Sequence, residues 1–156
     1  MLRLKSGGPR VKNAQKTVEG GHTFDSKMEA ARYLELQQLA RAGRVSVIEL
    51  QPVFELQGAY RKCPKCGRVD KRKNPEDPLE IKCPYRVGGG ETCGEKRPFG
   101  YPITYRADFR VTYADGHQEI EDVKGMETEI FKLKKKLFDY KYPDLTLKIV
   151  KGRGKK

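Results

Sequence analysis

Apolar positions recur along this chain with two different periods. Between residues 26 and 42, Tyr33, Leu36 and Ala40 fall on one helical face, with Glu29 in line with them. Ser26 and Glu29 have the form of a capping box and Gly43 is a natural stop, so the spacing predicts a helix over 26–42. The segment RVSVIELQPVFELQ, residues 44–57, is rich in β-branched and apolar types and is interrupted by Pro52. It predicts two short strands or one bent edge strand. Residues 101–124 return to a strand pattern, in which YPITYRADFRVTY and HQEIEDVKG flank the turn signal Ala114-Asp115-Gly116. A second helix is predicted over 128–142, with Ile130, Leu133, Leu137 and Tyr140 as its buried stripe and Lys132, Lys135 and Lys136 off it. Pro143 ends that helix, and Leu145, Leu147 and Ile149 alternate as a last strand. This order predicts an α/β fold, a central mixed β-sheet flanked by helices.

Three segments stand outside those periods. Residues 1–22 are rich in Gly, Lys and Arg and read as a flexible basic arm, and 151–156 as a basic tail. Residues 60–99 hold all four Cys and five of the nine Pro, and read as an insertion within a domain spanning 23–150. A length of 156 residues suits one such domain. No apolar run approaches the ~18 residues of a membrane span, and the basic N-terminus lacks the apolar stretch of a secretory signal. The expected location is therefore the cytoplasm, where cysteines serve metals more often than disulfides.

Charge narrows the choice of partner. The formal net charge is +12 and the isoelectric point about 9.6, a balance suited to an anionic polymer such as nucleic acid, although it also keeps a protein soluble. Residues 60–99 alone carry eleven Lys and Arg against six Asp and Glu. Arg61, Lys62, Lys71, Arg72 and Lys73 are the candidate phosphate contacts there, and a solvated charged loop is the plainer reading.

The cysteines suggest a structural metal. Cys63-Pro-Lys-Cys66-Gly has the spacing at which two thiolates grip one ion, and Cys93-Gly94 repeats the Cys-Gly ending. Nine residues separate Cys83 from Cys93, a less regular second half, so free or disulfide-linked cysteines are the alternative. With so little apolar content the insertion cannot bury enough surface to fold unaided, and a four-thiolate, zinc-ribbon-like site would supply the missing stability.

The hairpin carries the candidate chemistry. Asp122 and Lys124 are two apart and so share a strand face, and the turn can bring Asp108 beside Asp122. Paired carboxylates repel unless a cation lies between them, and hard oxygen donors suit Mg²⁺. Lys124 could neutralise charge developing on a phosphate, or position and deprotonate a water. Glu29 is the candidate third acid, with the capping box as its structural alternative. The alternative for the trio is a solvated hairpin face with an ordinary ion pair.

Asp108 in YRADF, thirteen intervening residues and then Asp122-Val123-Lys124 resemble the PD-(D/E)XK nuclease superfamily, with Ala107 where the motif's name has Pro. Thr23-Phe24-Asp25-Ser26-Lys27-Met28-Glu29-Ala30, then Leu50-Gln51-Pro52, Glu121 through Gly125, and the lysines 132 and 134–136 resemble small phage-encoded nucleases of that superfamily. The resemblance covers roughly residues 11–57 and 101–150. It implies a restriction-endonuclease-like core that hydrolyses DNA with Mg²⁺ or Mn²⁺. By position, Glu29 would be the helix acid, Asp108 and Asp122 the metal ligands, Val123 a carbonyl ligand and Lys124 the catalytic lysine. Lys132, Lys135 and Lys136 join the DNA-binding candidates, and Gln51 lies close to the expected site without an assigned role. Asp122 stands where many relatives have Glu, which leaves one metal or two open.

Small size and a basic surface are further similar to archaeal-type Holliday junction resolvases, which act as homodimers on branched DNA. The expectation is thus a metal-dependent, structure-selective endonuclease. A repair or recombination nuclease acting on ends, flaps or nicks is one alternative. A zinc-ribbon nucleic-acid-binding protein without catalysis is another.

Overall fold

A computed structural model of the chain describes residues 16–71, 81–86, 88 and 90–151. Most of the expected arm, the tail beyond residue 151, and the candidates Arg72 and Lys73 lie outside the described residues. The elements run β1 (Thr17–Glu19), β2 (His22–Phe24), α1 (Lys27–Arg41), β3 (Val45–Leu50), β4 (Val53–Gln57), β5 (Tyr60–Lys62), β6 (Val69–Lys71) and β7 (Ile81–Lys82). They continue β8 (Lys96–Arg97), β9 (Phe99–Gly100), β10 (Ile103–Arg106), β11 (Phe109–Tyr113), β12 (Gln118–Lys124), α2 (Glu129–Lys141) and β13 (Thr146–Lys151).

The fold is mixed α/β, with several sheets. Its largest sheet has the order β13-β12-β11-β3. β11 runs antiparallel to both β3 and β12, while β12 and β13 are parallel across the α2 connection. Parallel neighbours need such a crossover, because a tight turn can only reverse the chain. α1 packs on one face through Ala30, Tyr33 and Leu36 against Val45, Phe109, Val111 and Val123. The other face is closed by Phe131 and Phe138 of α2 against Phe54, Tyr105, Ala107, Ile120 and Leu147. β4 and β10 form an antiparallel pair from which the insertion, β5 to β9, projects. Among the described residues no helix is long and apolar enough to cross a membrane.

Two expectations need correction. The arm does not extend to residue 22, because β1 and β2 pair as a hairpin through Gly20 and Gly21, both at positive φ. Strands of three residues are too short to show a period, and Phe24, packed against the Tyr33 ring, anchors this one. The buried stripe of α2 is also different. Ile130, Leu133 and Tyr140 face solvent, and the sheet takes Phe131 and Phe138 instead. The helix carries two apolar stripes about a third of a turn apart. The aromatic one wins because Phe138 meets Phe54 edge to face at 4.9 Å between ring centres and lies 5.9 Å from Tyr105.

β12 bears a carboxylate on each face. Glu121, fully buried towards α1, receives Arg32 Nε and Nη2 at 2.7 Å each. A bidentate guanidinium satisfies both of its oxygens. Arg32→Met would remove the bidentate pair and leave buried Glu121 facing only the Lys148 ammonium, 3.8 Å from Oε1. The expected loss is about 3–5 kcal/mol, read by urea denaturation. A loss within experimental error would show that Glu121 rehydrates or protonates at little cost.

Candidate active site and metal centre

The site is built where two strands break at one level. β3 ends at Leu50 and β11 begins at Phe109, and between these ends and their continuations lie Gln51-Pro52 and Ala107-Asp108. The Gln51 N–H donates to the Asp108 carbonyl at 2.9 Å, and the Ala107 N–H to the Pro52 carbonyl at 3.1 Å. Gln51 has φ 51°, the single non-glycine residue at positive φ among the described residues. Pro52 lacks an N–H and cannot continue a ladder. The double break lets β4 and β10 leave the main sheet together and leaves Asp108 at the corner.

That corner meets the end of β12. Phe109 pairs with Glu121, which sets Asp108 opposite Asp122. The Asp108 N–H donates to the Glu121 carbonyl at 3.1 Å, and Asp108 Oδ2 accepts from the Val123 N–H at 2.6 Å. Asp122 is fully buried. Its Oδ2 lies 3.0 Å from Lys124 Nζ, and its Oδ1 has no hydrogen-bond partner. The Tyr105 hydroxyl is buried beside Asp122, and its pKa is raised by burial and then by that charge. Lys124 Nζ also sits 5.5 Å from the Phe131 ring centre, so the first turn of α2 borders the site. Burial, then the charges of Asp122 and Glu29, push Asp108 up from 3.8 to about 7, against the lowering effect of the Val123 N–H. A buried carboxylate oxygen without a partner, beside a second carboxylate, is a costly arrangement that a divalent cation would relieve. The oxygen donors present fit Mg²⁺ or Mn²⁺.

The structure brings Asp108, Asp122, Val123 and Lys124 together. Glu29 stands close enough to bear on Asp108, but its carboxylate is engaged: Oε1 accepts from Ser26 Oγ at 2.9 Å and Oε2 from the Asp25 N–H at 3.2 Å. It serves as the capping-box partner here. Arg61 is 4% exposed, so it is removed from the surface phosphate contacts, whereas Lys62 and Lys71 remain exposed. Lys132 pairs with Glu129 and Lys135 with Asp139, both at 2.7 Å, and Lys136 is exposed. Three features were not foreseen: the Arg32–Glu121 pair, the Tyr105 hydroxyl, and an open cleft of about 200 Å³ lined by His22, Thr23, Phe24, Leu50 and Gln51. Only Tyr105 left a signal, two residues before Ala107 on an alternating strand.

The cysteines form a second centre. All four are free thiols whose sulfurs lie within 4.8 Å of one another. Cys63 and Cys93 are 3.7 Å apart and Cys66 and Cys83 3.6 Å, close to the ~3.8 Å edge of a tetrahedron with Zn–S bonds of about 2.3 Å. The first half is a tight turn closed by the Gly67 N–H on the Cys63 carbonyl at 2.9 Å, while the second is a longer loop whose ends meet where the Gly94 N–H donates to the Cys83 carbonyl at 3.1 Å. Gly67 and Gly94 have φ 71° and 62°, which explains the repeated Cys-Gly. The Cys66 N–H lowers the pKa of Cys63, and burial raises that of Cys83. Asp70 joins the halves by accepting from both Tyr85 and Arg97. The cluster can hold a metal ion such as zinc, and four sulfurs leave no position open for catalysis.

The protein belongs to a family described as a protein of unknown function (DUF1064), whose sequence profile matches residues 10–74 and 93–155. No curated protein and no solved structure matches the chain.

Two outcomes follow from this geometry. The purified protein should carry one zinc per chain by elemental analysis. Cys83→Ser or a strong chelator should remove it and open residues 60–99 to proteolysis, while unchanged protease resistance would exclude a stabilising metal. In divalent-free buffer, Asp108 binds its proton more tightly folded than unfolded. The stability this contributes is complete below its ordinary 3.8 and is lost as pH rises through about 7. Asp108→Asn should therefore gain on the parent in melting temperature across that window. Parallel pH profiles would refute the raised value.

Proposed function

We propose that this protein is a metal-dependent DNA endonuclease with a restriction-endonuclease-like core, most specifically one that resolves branched DNA. The observation that carries the reading is the buried pair Asp108 and Asp122, with an oxygen lacking any partner and Lys124 Nζ 3.0 Å from the other. A structural role would satisfy those atoms, as Arg32 does for Glu121 on the opposite face of the same strand.

In this reading Asp108, Asp122 and the Val123 carbonyl hold Mg²⁺ or Mn²⁺, which supplies Lewis acidity at the scissile phosphate. Lys124, partly exposed at the mouth, meets the charge that builds on the phosphoryl oxygens as water adds to phosphorus and the bond to one sugar oxygen breaks. The proton released by the water balances the one taken up by the departing oxygen. The Tyr105 hydroxyl, buried, neutral and itself without a hydrogen-bond partner, stands beside Asp122, and the Phe131 ring lies 5.5 Å from the Lys124 amine. Lys62 and Lys71 are exposed cations for the DNA backbone, and the net charge of +12 draws the polymer in. The motif spacing resembles the PD-(D/E)XK nucleases, and branch selectivity rests on that resemblance.

The test is cleavage of a synthetic four-way junction beside linear duplex and flap substrates, with Mg²⁺, with Mn²⁺ and with neither. The parent should cut only with a divalent ion, and the junction fastest. Asp108→Ala should lose a factor on the order of 10³ and Lys124→Ala on the order of 10², both still binding the junction. Preference for flaps or ends would favour a repair nuclease. Binding without cleavage in either metal would leave a nucleic-acid-binding module and remove the enzyme.

A further inference from the structure

We propose that the cleft between the ends of β2 and β3 receives one unpaired base of the DNA strand beside the cleaved phosphate, with Gln51 as the residue that reads it. This rests on the nuclease reading, and it gives branch selectivity a physical source in the chain itself. Position, lining and backbone strain each point to it.

The cleft, about 200 Å³, is lined by His22, Thr23, Phe24, Leu50 and Gln51. The Gln51 N–H donates to the Asp108 carbonyl at 2.9 Å, so one wall of the cleft is bonded directly to the acid corner. At the opposite wall, Phe24 leads into the Asp25-Ser26 cap that holds Glu29, whose charge bears on Asp108. A strand with its phosphate at the acid pair brings an adjoining nucleoside to this opening.

The lining selects which part of the nucleotide enters. No Lys or Arg lines the cleft, in a chain that has 33 of them. A phosphate site would draw on such charge. Phe24 and Leu50 supply apolar walls instead. Among the described residues, the Thr23 hydroxyl and the Gln51 carboxamide take part in no hydrogen bond. A carboxamide offers a donor and an acceptor, the pair that a base edge answers. The exposed His22 imidazole is an aromatic surface on which a base can stack. The volume lies below the about 300–1,000 Å³ of pockets that enclose a whole ligand, so the cleft suits one group of a larger molecule.

Strain marks the residue in use. Gln51 holds φ 51°, a conformation that glycine would take without steric cost. What glycine lacks is the carboxamide beside the cleft, and strain kept at a functional corner points to the side chain. A base inside a duplex has its pairing edge occupied and both faces stacked. Entry therefore needs an unpaired base, which costs least where strands branch.

Equilibrium binding by fluorescence anisotropy tests the cleft, in EDTA so that nothing is cut. The probe is a branched DNA with one unpaired base at the branch point, either intact or replaced by an abasic site that keeps the phosphate. Removing the base should weaken the parent about tenfold. It should weaken Gln51→Gly by less than about threefold, and the two proteins should bind the abasic probe alike. Gln51→Gly should melt no lower than the parent, because glycine suits that φ. Gln51→Asn, which tolerates positive φ and keeps a carboxamide, should retain most of the sensitivity to the base. A parent indifferent to the base, or a glycine variant as sensitive as the parent, overturns the proposal. Sensitivity to the base without cleavage in any divalent ion would keep the cleft and sink the nuclease. Cleavage by a parent indifferent to the base would sink the cleft alone.

Discussion

Placing two carboxylates on one face of adjacent strands, away from water, is the constraint around which the rest of this structure is arranged. β12 makes the point by contrast. Glu121 and Asp122 are consecutive, both fully buried, and they face opposite sides of the sheet. Glu121 has both oxygens held by one guanidinium. Asp122 has an amine on one oxygen, nothing on the other, and Asp108 for a neighbour. Burial costs both groups alike, but only one of them is compensated. A fold that needed polar glue there had the means to supply it one residue earlier. The incomplete compensation of Asp122 is the contrast on which the proposed metal site rests.

The strand breaks belong to the same arrangement. Had β3 and β4 run on as one strand, Asp108 would have been one position in an unbroken ladder. The proline at 52, the left-handed Gln51 and the exchanged hydrogen bonds at Ala107 and Asp108 turn both strands at once. The turn frees Asp108 Oδ2 to take the Val123 N–H. The cost of a non-glycine residue at positive φ, typically about 1–3 kcal/mol, thereby falls at the acid corner. The insertion is affected little by this. It leaves and re-enters through the paired ends of β4 and β10, so its four sulfurs can organise around their own centre without moving the sheet.

Much of this was legible in the sequence, for local reasons. Ser26 and Glu29 announce a capped helix because the cap is made within four residues, and α1 runs Lys27–Arg41. Ala114-Asp115-Gly116 announces a hairpin because Gly116 must take φ 88°. The hairpin register then fixes Asp108 opposite Asp122, and the Cys-Gly repeat foretells two glycines at positive φ. What was not legible depended on the partner surface. Whether α2 buries Ile130 and Leu133 or Phe131 and Phe138 is decided by the rings of Phe54 and Tyr105, which periodicity within the helix cannot see. Arg61 reads as a surface cation until the insertion closes over it. Glu29 fits two roles in sequence, and it bonds to Ser26 and Asp25 at the cap while its charge still bears on Asp108.

α2 ties these threads together, because it serves three surfaces with one turn pattern. Its aromatic stripe closes the core, its first turn confines Lys124, and its aliphatic stripe looks outward among lysines. Any partner that covers the outward stripe therefore approaches a helix whose N-terminal end borders the acid pair. The outer face and the acid pair thus meet on one helix of 13 residues, whose first turn sets the Phe131 ring 5.5 Å from the Lys124 amine.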